Sequence, residues 1–297
     1  MNFTSMSIEQ FHTRFDSEEA CFEIVAANKW PNGFNCPRCS HRHAYVTCTR
    51  RLPLYECSSC RHQTSLIAGT IMEGSRTTLR KWLLAIFLVS RTEQGTTAVE
   101  IQEKLQVTYK TAWSMLHKIR QKLQLANHQS SLSGNVQINS AVYGRPFNPS
   151  VHKHPQEHLL LVGASQDENG EIHNLKIKHT LPNHPKERHI ARSHINDFCE
   201  NYVQTPKERM HIVTGLYSPK KRRPLMSLAA QASKWINQTF HGIGSKYLQL
   251  YLDEFCFRFN YGKQKQSFFN DLSLLCFFVD KRYSEQFSGK KMTALAA

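Results

Sequence analysis

Two Cys-x-x-Cys pairs, Cys36-Pro-Arg-Cys39 and Cys57-Ser-Ser-Cys60, constrain this chain more than any other feature, and 17 residues (40–56) separate them. One such turn sets two sulfurs about an ion's width apart, and a second completes a tetrahedral S₄ cage with metal–sulfur bonds of roughly 2.3 Å. Between the pairs lie two short β-prone stretches, residues 45–48 and 54–56, flanking Arg50-Arg51-Leu52-Pro53. The reading is a hairpin between two knuckles: a zinc ribbon holding structural Zn²⁺ through Cys36, Cys39, Cys57 and Cys60. A closed S₄ site leaves no position for a substrate. Nine cysteines, an odd number, argue against a disulfide scaffold, and the second knuckle argues against a redox pair or four plain thiols. Cys48 falls on the hairpin outside the ligand set. Cys21, Cys199, Cys256 and Cys276 lie in apolar patterns and read as small core residues.

Charge narrows the partners. The 297 residues carry 38 Lys and Arg against 23 Asp and Glu, a net charge of +15. Such a surplus points first to nucleic acid and second to an anionic membrane surface. The longest apolar stretch, residues 268–279, is broken by Asp271 and is too short to span a bilayer, and residues 1–14 lack the apolar core of a secretory signal. A soluble, intracellular protein is expected. In the ribbon, Arg38, Arg42, Arg50, Arg51 and Arg61, with His41, His43 and His62, form a phosphate-seeking surface.

A helical segment follows. Residues 77–91 place Leu79, Trp82, Leu83, Ile86 and Phe87 on one stripe. Thr97 followed by Glu100 opens a second helix with a capping-box signature, and Thr108 is the N-cap of a third, with Ala112, Met115, Leu116 and Ile119 inward. Two helices joined by a short turn, the second rich in Lys, Thr, Ser and Arg, form a helix-turn-helix pattern. In that frame Tyr109, Lys110, Thr111, Ser114 and Lys118 face outward, towards a major groove or its phosphates. Residues 36–123 hold 14 Lys and Arg against 5 Asp and Glu, a local +9.

Residues 127–134 are rich in Ser, Asn and Gln, without apolar periodicity, and read as a hinge. Beyond it the pattern is α/β: strands at 135–143, 158–164, 172–177 and 210–214, and helices at 188–202, 225–237 and 245–259. That element order matches a ribonuclease-H-like core, though other α/β domains share it. The expected domains are 1–29, an N-terminal helical segment; 30–74, the ribbon; 75–126, the helix-turn-helix; 135–265, the ribonuclease-H-like domain; and 266–297, a C-terminal helix and tail.

The run Trp30-Pro31-Asn32-Gly33-Phe34-Asn35-Cys36-Pro37-Arg38-Cys39 resembles the opening of the ribbon in zinc-ribbon insertion-sequence transposases of the ISXO-like group. Gly69-Thr70-Ile71-Met72, the segment from Lys110 to Arg120, and Tyr251-Leu252-Asp253-Glu254-Phe255 with its continuation to Asn260 are similar to further family motifs. The resemblance covers roughly residues 15–265. It implies a ribonuclease-H-like domain in which three acids hold two divalent ions to cut and join DNA. It also implies duplex DNA as partner, a homodimer or higher oligomer, no membrane, and a bacterial cytoplasmic, nucleoid-associated setting.

Those acids are missing from the positions the resemblance assigns. The first, within a DE pair, reads Asn139-Ser140; the second reads Gly215; the third falls near Met226. No Asp or Glu stands between Glu208 and Asp253. Neutral amides and glycine cannot replace anionic ligands for hard cations, so no catalytic Mg²⁺ is expected. The basic run Lys220, Lys221, Arg222 and Arg223 remains beside the lost second acid. The favoured reading is a transposase-family protein that binds duplex DNA without catalysis. Two alternatives stay open: an active transposase using displaced acids, and a zinc-ribbon protein–protein adaptor.

Overall fold

The computed structural model describes residues 6–49, 51–91, 94–144, 154, 156–181, 189–215, 218–220, 223–262 and 268–277. In chain order its elements begin with α1 (Ile8–Arg14), α2 (Glu18–Lys29), β1 (Ala44–Thr47), β2 (Leu54–Cys57), β3 (Gln63–Ser65), α3 (Leu79–Arg91), α4 (Ala98–Leu105) and α5 (Tyr109–Gln129). They continue with β4 (Asn135–Tyr143), β5 (His158–Gln166), β6 (Ile172–Thr180), α6 (Arg192–Tyr202), β7 (Met210–Val213), α7 (Arg223–Phe240), α8 (Ser245–Gly262) and α9 (Phe268–Phe277). The chain is α/β, and it divides into two compact units: residues 1–91, 101–119 and 267–297, and residues 92–100 and 120–266. Among the described residues no helix is long and apolar enough to cross a membrane.

The first unit joins a three-stranded antiparallel sheet, β1-β2-β3, to a helical core. Ser7 and Gln10 close a capping box on α1, and Ser17 caps α2. The start of α3 is capped from a distance: the Glu18 carboxylate accepts from the N–H groups of Leu79 and Arg80, both at 3.1 Å, placing negative charge at a positive helix end. Helix α3 is buried from Trp82 to Val89, and Phe87 stacks on Phe11 at 4.8 Å and meets Phe269 of α9 edge-on at 5.7 Å. The third ribbon strand, β3, has no alternation of its own and was not legible in the sequence. It forms because Leu54, Tyr55 and Glu56 pair with Ser65, Thr64 and Gln63.

The second unit is built on a sheet of order β6-β5-β4-β7, antiparallel except for the parallel pair β4–β7. Strand β5 shows how it is covered. Leu160, Val162 and Ala164 join Leu225, Ala232, Ile236 and Leu248 of α7 and α8, whereas Leu159 and Leu161 join Ile190 and Phe198 on the α6 side. Alternate residues of one strand fill two cores, so the strand reads as a continuous apolar run. Gly163 is required on the α6 side, because a Cβ there would lie 2.7 Å from the Phe198 ring. The stretch 127–134, expected as a hinge, lies wholly inside this unit. Helix α5 runs through it to Gln129, and Asn127 is buried, donating to the Asp253 carboxylate at 2.6 Å. Its polar residues serve a buried network, which composition alone cannot distinguish from a linker.

Candidate metal centre and nucleic-acid interface

The two knuckles are built alike. In the first, the Cys36 N–H donates to the His41 carbonyl and the Ser40 N–H to the Cys36 carbonyl, both at 2.9 Å. In the second, the Cys57 N–H donates to the His62 carbonyl and the Arg61 N–H to the Cys57 carbonyl, both at 3.0 Å. Ser40 and Arg61, each just after a second cysteine, take left-handed backbone at φ 60° and 58° to close these turns. Four Sγ atoms converge within 4.8 Å of one another, with Cys36–Cys60 and Cys39–Cys57 each at 3.6 Å. A tetrahedral ZnS₄ centre needs sulfurs about 3.8 Å apart. The donor set and its spacing therefore fit Zn²⁺. Burial opposes ionisation of Cys36, but the N–H groups of Cys39 and Arg38 outweigh it and bring the thiol down to about 7. Cys57 is lowered chiefly by the Cys60 N–H. Backbone donors thus favour the thiolates of Cys36 and Cys57 that a metal takes up, whereas at Cys39 the His41 N–H is outweighed by burial and the neighbouring thiols, which push it up to about 12.

The basic residues around this centre divide by their contacts. Arg38 and Arg42 are exposed. Arg51 donates to the carbonyls of Arg76 at 2.9 Å and Ser75 at 3.4 Å, and Arg61 pairs with Glu56 at 3.1 Å while lying over the Tyr45 ring. Arg50 lies outside the described residues. Beside the knuckles, a groove of about 970 Å³ is lined by Trp30, Phe34, Arg42 and His62 among others. The Lys29 ammonium stands 4.7 Å from the Trp30 ring centre and donates to the carbonyls of Ser65, Leu66 and Ala68 at 2.6–3.0 Å. Burial draws that lysine down to about 8. The groove and its lysine clamp were not found by sequence reasoning, although Trp30 and Phe34 belong to the quoted motif; their convergence on Tyr55 is a long-range contact.

Helices α4 and α5 are joined by three residues. Gln106 turns the chain at φ 50°, and the Thr108 hydroxyl accepts the Thr111 N–H at 3.2 Å, capping α5. Tyr109, Lys110 and Ser114 are exposed, and Ala112, Met115, Leu116 and Ile119 are buried as their spacing requires. The other two members of the expected outward face already make contacts of their own. The Thr111 hydroxyl is engaged by Thr108 at 2.9 Å, and Lys118 is half-buried, donating to the Glu73 carbonyl at 3.1 Å. A long side chain can lie back along its helix and find a carbonyl, so helical phase alone does not make a lysine available.

In the second unit, Asn139 and Ser140 are fully buried on the central strand β4. Asn139 lies opposite Val213 of β7 in parallel register, two residues before Gly215. By strand alternation it shares the face of Ala141 and Tyr143, which belong to the core cluster against which Met226, in the first turn of α7, packs. Of the basic run, Lys220 and Arg223 are exposed, and Lys221 and Arg222 lie outside the described residues.

Several other acids of this unit are already engaged or lie on other elements. Glu254 is buried between Arg120 at 2.7 Å and Arg258 at 2.8 Å. Asp253 is buried among Gln124 and Asn127, and burial raises its carboxyl above the ordinary range. Asp167 accepts the Glu171 N–H at 2.7 Å within the β5–β6 turn, and Asp197 and Glu200 lie on α6. The role of Arg120, the centre of the buried ion network, escaped the sequence reading; a basic residue beside Ile119 on an inward stripe is the signal that marks it.

Fold and site together define an α/β protein with an N-terminal zinc ribbon whose four cysteines are placed to bind one metal ion. Residues 16–63 match a family described as the transposase zinc-ribbon domain, and residues 220–260 match the ISXO2-like transposase domain. A protein of Halobacterium salinarum, described as an uncharacterized protein in transposable element ISH50, is 28% identical over 125 residues, 42% of this chain and 41% of that relative. The match thus spans less than half of the relative's length. No solved structure matches. The resemblance to zinc-ribbon insertion-sequence transposases read from the sequence is upheld in both segments.

Proposed function

We propose that this chain is a transposase-family DNA-binding protein that has kept its binding parts and lost its strand-transfer chemistry. The observation that carries the reading is the character of the β4–β7 edge. Two-metal catalysis needs several anionic ligands converging on one point, and the positions that the family resemblance assigns hold an amide, a glycine and a thioether. The sheet order, with β4 central and parallel to β7, supports a ribonuclease-H-like domain over residues 135–265. The family match to the second segment begins at residue 220, after both strands that would carry the first two acids. The short connection from α4 to α5, with Tyr109, Lys110 and Ser114 exposed, supports a helix-turn-helix over residues 75–126. Arg38, Arg42, Lys220 and Arg223 supply exposed cations for phosphate contacts. The resemblance also carries a homodimer or higher oligomer into this reading.

Fluorescence anisotropy with a labelled duplex tests it. Affinity should fall steeply with salt, because each phosphate contact releases counterions with a slope of about −0.9 in log–log form. Salt-insensitive failure to bind duplex would favour the protein–protein adaptor instead.

A further inference from the structure

The groove beside the zinc knuckles is lined by residues between Lys29 and Glu73, none of them on α5. We propose that it is a stacking site for an unpaired nucleobase, through which the ribbon engages single-stranded DNA. The proposal rests on the nucleic-acid reading above for its polyanionic ligand, and not on α5 or on the loss of cleavage. The volume of about 970 Å³ is at the upper end of the ~300–1,000 Å³ common for ligand sites, room for a base with its sugar and flanking phosphates. Trp30 and Phe34 line it and are only half-buried. Their rings are braced at 5.2 Å from each other, and by Tyr55 at 4.6 and 5.8 Å, so they hold a fixed orientation without being fully covered. Every base has a π-face, and a rigid aromatic platform binds it without reading sequence.

Charge in the same groove fits a polyanion. Arg42 is exposed there, with His62 beside it. From Trp30 to Ser65 the chain carries five Arg against one acid, Glu56, which Arg61 and Gln63 already engage. Lys29 is not part of that offering, since its ammonium is held by three carbonyls and shapes the wall of the groove. The Glu73 carboxylate also lines the groove, accepting the Gly69 N–H at 2.8 Å, and this places the phosphates against Arg42 and His62 instead. A proline-rich peptide would suit the aromatic wall but would leave the arginines without a counterpart.

The test uses the full-length, zinc-loaded protein with fluorescein-labelled oligo(dT) and, separately, a duplex. Phe34→Leu keeps apolar bulk but removes the ring, and should weaken oligo(dT) binding about tenfold while leaving duplex affinity and zinc content unchanged. Arg42→Gln, at an exposed position, should lower the oligo(dT) salt slope by about 0.7. In the unaltered protein, ultraviolet light should crosslink a halogenated-uracil oligonucleotide to Trp30 or Phe34. Undiminished oligo(dT) affinity in Phe34→Leu, crosslinks mapping elsewhere, or preferential binding of a proline-rich peptide would each overturn the stacking site. Failure of Lys110→Ala to weaken duplex binding would count against the α5 reading alone.

Discussion

In the ribbon, four thiols from two knuckles meet within 4.8 Å, each knuckle closed by the same pair of backbone hydrogen bonds. At the β4–β7 edge of the second unit the strands still pair in register, but Asn139 and Gly215 stand where the resemblance assigns acids. The difference lies in what each polar set does for folding. Zinc ligands are part of the stability of the ribbon, since metal binding and folding are one equilibrium there. Clustered carboxylates do the opposite: like charges brought together repel, and their loss leaves the sheet easier to form. A chain can therefore shed its catalytic acids and keep its fold, whereas it cannot shed its knuckle cysteines and keep its ribbon.

The largest effect should come from the metal centre. Cys36→Ser combined with Cys60→Ser should abolish zinc, measured by elemental analysis, and unfold the ribbon. The stabilisation at stake is the apparent binding energy of structural zinc sites, about 10–16 kcal/mol at neutral pH. Full zinc content in the double variant would break the first half of the comparison.

Next is the ion network of the second unit. Glu254→Gln leaves Arg120 and Arg258 without their shared carboxylate and should cost about 3–5 kcal/mol in denaturant unfolding, with Arg120→Met in the same chain recovering part of it. Burial alone would raise Glu254, but the two guanidinium groups outweigh it and hold the carboxyl below its ordinary 4.5. Because the folded value is the lower one, this contribution is complete above pH 4.5 and is lost as pH falls through the folded value. Unchanged unfolding in Glu254→Gln would show the network to be incidental.

Gly163→Ala should follow, at about 1–3 kcal/mol, since the added methyl meets the Phe198 ring. Smaller still are the changes on α5, read by duplex anisotropy. Lys110→Ala should lower the salt slope by about one, whereas Lys118→Ala should leave it nearly unchanged, its ammonium being already bound to Glu73. The reverse order would restore the outward reading of Lys118.

These cases also mark how far the sequence was legible. Strand β4 was read to the residue, because its alternating pattern and flanking polar turns are local signals. The ribbon ligands were equally plain, since metal geometry fixes their spacing. Three things were hidden for one reason. The short strand β3, the burial of Asn127 in a stretch that looked like a hinge, and the clamp of Lys29 on residues 65–68 all depend on partners distant in the chain. The contact of Lys118 with the Glu73 carbonyl was hidden because helical phase gives the direction of Cβ but not where a four-carbon stem ends.

The central claim is that the second unit has kept its fold and lost its chemistry, and strand cleavage tests it most directly. The unaltered protein, incubated with supercoiled DNA carrying candidate element ends and Mg²⁺ or Mn²⁺, should produce no nicked or joined product under conditions where it binds that DNA. Divalent-ion-dependent nicking that Asp253→Asn or Asp167→Asn abolishes would establish a relocated site and contradict this account.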